Sequence, residues 1–139
     1  MSDICPTCGC PEGINGHDVF HRQIDELKAK LTFKQYDEWA ITTAVYPGIG
    51  HGTLYPVLGL GGETGEVLEV WKKIIRDNSS ELNRESRERI KKELGDVLWY
   101  VKMCAHEIGS SLEEVAQANI DKLNLRRQKG TIHGSGSDR

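Results

Sequence analysis

The sequence predicts an all-α protein built on four main helices. Three observations carry that prediction. Apolar residues recur at steps of three and four along most of the chain, no stretch alternates with period two for long enough to demand a strand, and glycine, proline or short polar clusters interrupt the pattern at helix-length intervals. At 139 residues the chain has the length of one domain and enough surface to bury a core.

Residues 1–17 stand apart by composition, with three Cys, three Gly, two Pro and no apolar period. They read as a loop or a small metal-held knuckle. Helical spacing begins near Asp18, with Phe20, Ile24, Leu27 and Leu31 on one face. Thr32 marks a kink or a new start, and Phe33, Tyr36, Trp39, Ala40 and Thr43 continue the pattern to Pro47, which disfavours helix in the residue before it. PGIGHGT then forms a glycine-rich loop.

A second helix is expected over about Leu54 to Arg76, with Val67, Val70, Trp71, Ile74 and Ile75 as its apolar stripe. Gly59, Gly61, Gly62 and Gly65 sit in its first half. Each costs up to ~1 kcal/mol relative to alanine, which points to a demand for missing side chains or to a local non-helical stretch. Asp77 to Ser80 break the pattern. A third helix runs from Glu81 or Arg84 to Glu107, with Ile90, Leu94, Val97, Leu98, Val101 and Ala105 on its core face and Gly109 placed to stop it. A fourth opens on the capping box Ser111–Glu114, continues through Val115, Ala116, Asn119, Ile120 and Leu123, and ends at Gly130. The expected organisation is a Cys-rich segment at 1–17, a helical domain at 18–130 and a glycine-rich tail at 131–139.

Eighteen basic against 21 acidic side chains leave a net charge of −3, so no general attraction for nucleic acid or an anionic membrane is expected. No apolar run is long enough to span a bilayer, and the N-terminus lacks the form of a secretion signal. A cytoplasmic, reducing location follows as the expectation, without a disulfide framework.

The chemistry-bearing pattern is acidic. Glu63 and Glu66 are three apart on the second helix, and Glu93 and Asp96 are three apart on the third, flanking Leu94 and Val97. If these helices pack antiparallel, four carboxylates meet in one groove and repel one another unless a cation neutralises them. Oxygen-only donors favour a hard ion such as Mg²⁺ or Mn²⁺. A di-iron bundle would need E-x-x-H pairs, and neither pair supplies the histidine. A single E-x-x-E on a chain so rich in charge is usually a solvated face; two such pairs on adjacent apolar faces are harder to dismiss.

The stretch GLGGETGEVLEVWKKIIRD, followed by KKELGDVLWYV, resembles the MazG-type nucleoside triphosphate pyrophosphohydrolases, whose signature is E-E-x-x-E, a spacer and E-x-x-D. Here Gly62 stands at the first glutamate, and Glu63, Glu66, Glu93 and Asp96 match across a 26-residue spacer. The likeness runs from about residue 32 to the end, and the tail is similar to that of short single-domain members carried by phages and bacteria. The resemblance implies a four-helix MazG-like bundle that hydrolyses a (deoxy)nucleoside triphosphate to the monophosphate and pyrophosphate in bacterial or phage-infected cytosol. Glu63, Glu66, Glu93 and Asp96 would hold Mg²⁺ or Mn²⁺, and Glu63 would also act on the attacking water. It further implies a homodimer or homotetramer whose neighbouring chains complete the site.

Beyond the metals, a triphosphate needs protein cations. Residues 119–139 hold five basic side chains against Asp121 and Asp138, the one clearly basic stretch. Asn119, Lys122 and Arg126 share a helical face; the first two match the family's N-x-x-K, and Lys129 joins them as a phosphate contact. Cations also suit a helix C-terminus, so the stretch has a structural reading as well. Tyr36, Trp39, Tyr46 and Trp99 are candidates for a base pocket, with Trp39 the foremost, and His51 with its loop is a candidate lid. A purine deoxynucleotide such as dGTP is one candidate substrate, broad activity another. A dUTPase-like or phosphoribosyl-ATP pyrophosphohydrolase remains the enzymatic alternative. Cys5, Cys8 and Cys10, with His17 or His21, have spacing suited to a structural Zn²⁺; a zinc-bearing helical interaction module is therefore the alternative from outside enzymology. Cys104 reads as an apolar filler.

Overall fold

A computed structural model describes residues 31–77 and 81–131. Its elements in order are α1 (Phe33–Ala40), a short 3₁₀ turn (Ile41–Thr43), α2 (Tyr55–Asp77), α3 (Arg84–Glu107) and α4 (Leu112–Gln128). No strand occurs among the described residues, and the all-α reading holds. The apolar positions Phe20, Ile24 and Leu27, the cysteine segment and the tail beyond Thr131 lie outside the described residues.

Thr32 does start a helix. Its hydroxyl accepts from the Gln35 amide at 3.2 Å, and the Gln35 side chain accepts from the Thr32 amide at 2.9 Å, so two otherwise unpaired donors are satisfied together. The helix ends at Ala40, well before Pro47. The hydroxyls of Thr42 and Thr43 donate to the carbonyls of Trp39 and Ala40, each at 2.7 Å, and this local bonding closes the last turn as 3₁₀. The same reciprocal cap opens α4 at Ser111 and Glu114. Asn83 caps α3, its side chain accepting from the Ser86 amide at 2.8 Å, and Gly109 ends that helix region at φ +72°.

α2 and α3 form the main hairpin. They run antiparallel, since Gly59 lies against Tyr100 while Glu63, four residues further along α2, meets Glu93 and Asp96 earlier on α3. α4 packs on α1 and α3. Among the described residues one buried cluster joins Ala40, Tyr46 and Met103, with Tyr36, Ile41, Ala44, Ile49 and Trp99 packed around them; Val70, Ile74, Ala105 and Leu112 are buried as well. Asp37 ties three helices, accepting from the Leu112 amide at 3.1 Å and standing 3.9 Å from the buried ammonium of Lys102.

The apolar stripes are wider than this core. Val70 and Ile74 of α2 are buried, but Ile75 of the same stripe is 62% exposed and Leu94 of α3 is 51% exposed. Leu58, Leu68, Ile120 and Leu123 are also exposed, leaving substantial apolar surface on α2 and α4.

Candidate functional site

The hairpin brings together three of the four carboxylates singled out in the sequence. One oxygen each from Glu63, Glu93 and Asp96 lies within 4.8 Å of the others. Glu63 and Glu93 are half-buried and Asp96 is exposed. Glu66, one turn further along α2, is exposed and stands outside this group of three. Burial, and then the charges of Asp96, Glu93 and Glu66, push the Glu63 carboxyl above the usual carboxylate range. The site is thus a concentration of negative charge on rigid helices, one of whose members resists ionising.

The glycines of α2 divide into two kinds. A Cβ on Gly59 would sit 2.0 Å from Cε1 of Tyr100, so this glycine admits the tyrosine ring between the helices. A Cβ on Gly61, Gly62 or Gly65 would meet nothing within 4 Å, so these positions leave open space beside the carboxylates. The residue in the place of the family's first glutamate, Gly62, belongs to this open group.

Two tyrosines border the acidic group. Burial and then Asp96 raise the Tyr36 hydroxyl, and burial, Tyr55, Glu63 and Asp96 raise that of Tyr100. Trp39 leans on Tyr36, with ring centroids 6.0 Å apart, and is 44% exposed. The other aromatic candidates have their polar atoms engaged in the fold. Trp99 Nε1 donates to Thr43 Oγ1 at 2.8 Å, and the Tyr46 hydroxyl donates to Glu107 at 2.7 Å. Asn119 and Lys122 are exposed on α4, Arg126 is half-buried there, and Lys129 forms its C-terminal cap. Cys104 is a half-buried free thiol, raised by burial. Cys5, Cys8, Cys10, His17 and His21 lie outside the described residues.

One residue that sequence patterns do not single out stands at the end of α3. Glu107 accepts from Tyr46 and from three loop amides, and so fastens the loop carrying His51 to that helix. The available signal was the glycine spacing: Gly48, Gly50 and Gly52 all take positive φ, a loop path that brings the amides of Gly50, Gly52 and Thr53 onto one carboxylate.

The family model of the MazG nucleotide pyrophosphohydrolase domain matches residues 51–131, from the glycine-rich loop through α4. The chain belongs to the MazG nucleotide pyrophosphohydrolase family. It is a hydrolase acting on nucleoside triphosphates. It is similar to the "Gene 37 protein" of Mycobacterium phage L5, with 41% identity over 109 residues, covering 75% of this chain and 96% of that protein. No solved structure shows a significant match. Enzymes of the MazG family use divalent metals, and the carboxylate group fits one by its donor chemistry. Its donors are all carboxylate oxygens, gathered within 4.8 Å of one another from two helices, which is the hard-oxygen chemistry a divalent ion such as Mg²⁺ or Mn²⁺ takes. Among the described residues no helix is long and apolar enough to cross a membrane.

Proposed function

We propose that this MazG domain hydrolyses a (deoxy)nucleoside triphosphate to the monophosphate and pyrophosphate, with Glu63, Glu66, Glu93 and Asp96 holding Mg²⁺ or Mn²⁺. The observation that carries the reading is the convergence of Glu63, Glu93 and Asp96 from two helices. Three carboxylates within 4.8 Å repel one another, and burial first, then that repulsion, raises the proton affinity of Glu63. A bound divalent ion supplies positive charge against the phosphates and a more acidic water.

The chain's own residues do the rest. Glu63 is the best placed to take the proton of the attacking water at a carboxylate oxygen, because it is half-buried and feels all three other acids. Glu66, three residues beyond Glu63 on α2, would be the fourth donor to such an ion. Asn119, Lys122, Arg126 and Lys129 offer hydrogen bonds and positive charge to the phosphates beyond the metal, where in-line displacement depends on positioning and charge stabilisation. Trp39, leaning on Tyr36 beside Asp96, offers an exposed ring on which a base can stack. A purine deoxynucleotide such as dGTP is one candidate substrate and broad activity the other, and the substrate panel below separates them.

Two further readings accompany this one. The exposed leucines and isoleucines of α2 and α4 support a homodimer or homotetramer, in which those faces are covered. The C-x-x-C spacing of Cys5 and Cys8, with Cys10 and His17, supports a structural Zn²⁺ in the N-terminal segment.

The test is a panel of dNTPs and NTPs with Mg²⁺, with Mn²⁺ and with excess chelator. The reading expects monophosphate and pyrophosphate in equal amounts, and only with a divalent ion. Orthophosphate as the first product, or undiminished turnover in chelator, would contradict it.

A further inference from the structure

Glu107 occupies a position that needs explaining. It is the last residue of α3, where the helix dipole favours cations over anions. Its carboxylate nonetheless accepts four hydrogen bonds. Oε1 takes the Tyr46 hydroxyl at 2.7 Å and the Gly50 amide at 3.0 Å; Oε2 takes the amides of Gly52 at 2.8 Å and Thr53 at 3.2 Å. All four donors lie 54 to 61 residues earlier in the chain. α2 begins at Tyr55, two residues after the last of them. One side chain on α3 therefore fixes where α2 starts.

The fixation continues as a row of rings. Tyr46 stacks on Tyr55 at 5.3 Å with planes 7° apart, and meets Trp99 edge-on at 6.4 Å. Trp99 meets Tyr100 edge-on at 4.9 Å, and Tyr100 fills the space left by Gly59. Glu63 follows Gly59 by one helical turn. The carboxylate strap and the ring row thus set how far α2 is advanced along α3, at the end of the hairpin away from its connection.

From this we infer that Glu107 is a positioning residue: by anchoring the start of α2 to α3 it sets Glu63 in register with Glu93 and Asp96. The inference rests on reading those three acids as a metal site. A multidentate site tolerates ligand displacements of only a few tenths of an ångström, so a register error on α2 registers first as lost metal affinity. A merely structural role would lower the melting temperature and leave the affinity of the folded protein unchanged.

The experiment is a Mn²⁺ titration of nucleotide-free protein, read by the electron paramagnetic resonance of the free ion, at a temperature well below melting. Wild type, Glu107→Gln and Tyr46→Phe are compared. The glutamine amide nitrogen cannot accept, so Glu107→Gln gives up one oxygen's pair of bonds; Tyr46→Phe removes one bond and keeps the ring. Glu107→Gln is expected to weaken Mn²⁺ binding about tenfold, in the range seen when outer partners of metal ligands are removed. Tyr46→Phe is expected to weaken it by less, and it carries the test alone if Glu107→Gln does not fold. The Mg²⁺ concentration for half-maximal pyrophosphate release should rise in parallel. Unchanged Mn²⁺ affinity in both variants, with wild type binding normally, overturns this inference alone. Failure of wild type to bind Mn²⁺ overturns the metal reading beneath it.

Discussion

Replacing Gly59 by alanine tests the packing of the α2–α3 hairpin. The new Cβ would lie 2.0 Å from Cε1, 2.3 Å from Cζ and 2.6 Å from Cδ1 of Tyr100. Carbon atoms in contact settle at about 3.5 Å or beyond, so the ring or the helix must yield by roughly 1.5 Å. The ring has little freedom, being held edge-on by Trp99 at 4.9 Å. Overpacking of this kind costs about 1–3 kcal/mol, against a gain of up to ~1 kcal/mol from alanine's helix propensity. An overlap of this size belongs at the upper end of that range, so the net expectation is a loss of about 2 kcal/mol, or roughly 4–8 °C in melting temperature for a chain of this size. Gly62→Ala is the control, since its Cβ meets nothing within 4 Å on the same helix and should be neutral or slightly stabilising. Calorimetric melting of both variants, followed by Mg²⁺-dependent turnover, is the assay. Because Glu63 lies one turn beyond Gly59, Gly59→Ala should also raise the Mg²⁺ requirement. Equal melting temperatures for the two variants would refute the reasoning.

Three further outcomes are expected. Lys102→Met leaves the largely buried carboxylate of Asp37 without its cation, and should cost about 3–5 kcal/mol in denaturant unfolding; adding Asp37→Asn, which keeps an acceptor for the Leu112 amide, should recover part of that. The Tyr46 hydroxyl, and then the loop amides, hold Glu107 at about 2, below its ordinary value of 4.5. Its contribution is therefore fully present above pH 4.5 and lost as pH falls towards 2, because the unfolded chain takes up the proton first; the unfolding midpoint of wild type should fall more steeply across that window than that of Glu107→Gln. Lys129→Ala should raise KM about tenfold, as expected for one charge-assisted contact of ~1.5 kcal/mol, with little change in melting temperature, and unchanged kinetics with lower stability would make the end of α4 purely structural.

The parts of this molecule that were legible in the sequence are those governed by local rules. The caps at Thr32 and Ser111 involve residues three apart, and both form as the spacing dictates. The i,i+3 pairs on α2 and α3 converge because antiparallel packing of two amphipathic helices allows little else, although Glu66 remains one turn outside the group. What lay beyond the sequence depends on distant partners. Gly59 differs from Gly61 and Gly62 only through Tyr100, some forty residues later. Glu107 looks like an ordinary acid before a glycine stop until the loop amides are seen on it. The early end of α1 reflects two threonine hydroxyls bonding backwards, a choice that apolar periodicity does not encode. Likewise the stripe through Trp71 and Ile75 gives the helix its period but not its covering, and most of Ile75 faces outward.

The central claim is that Glu63, Glu93 and Asp96, with Glu66 beside them, form the metal centre. Its most direct test is Mn²⁺ binding to nucleotide-free wild type, Glu63→Gln, Glu93→Gln, Asp96→Asn and Glu69→Gln, the last being a half-buried acid of α2 already paired with Lys72 and Lys73. The account predicts at least a tenfold loss of affinity in each of the first three variants, the scale of losing one charged ligand, and wild-type affinity in Glu69→Gln. Wild-type affinity in any of the three, or an equal loss in Glu69→Gln, would contradict it.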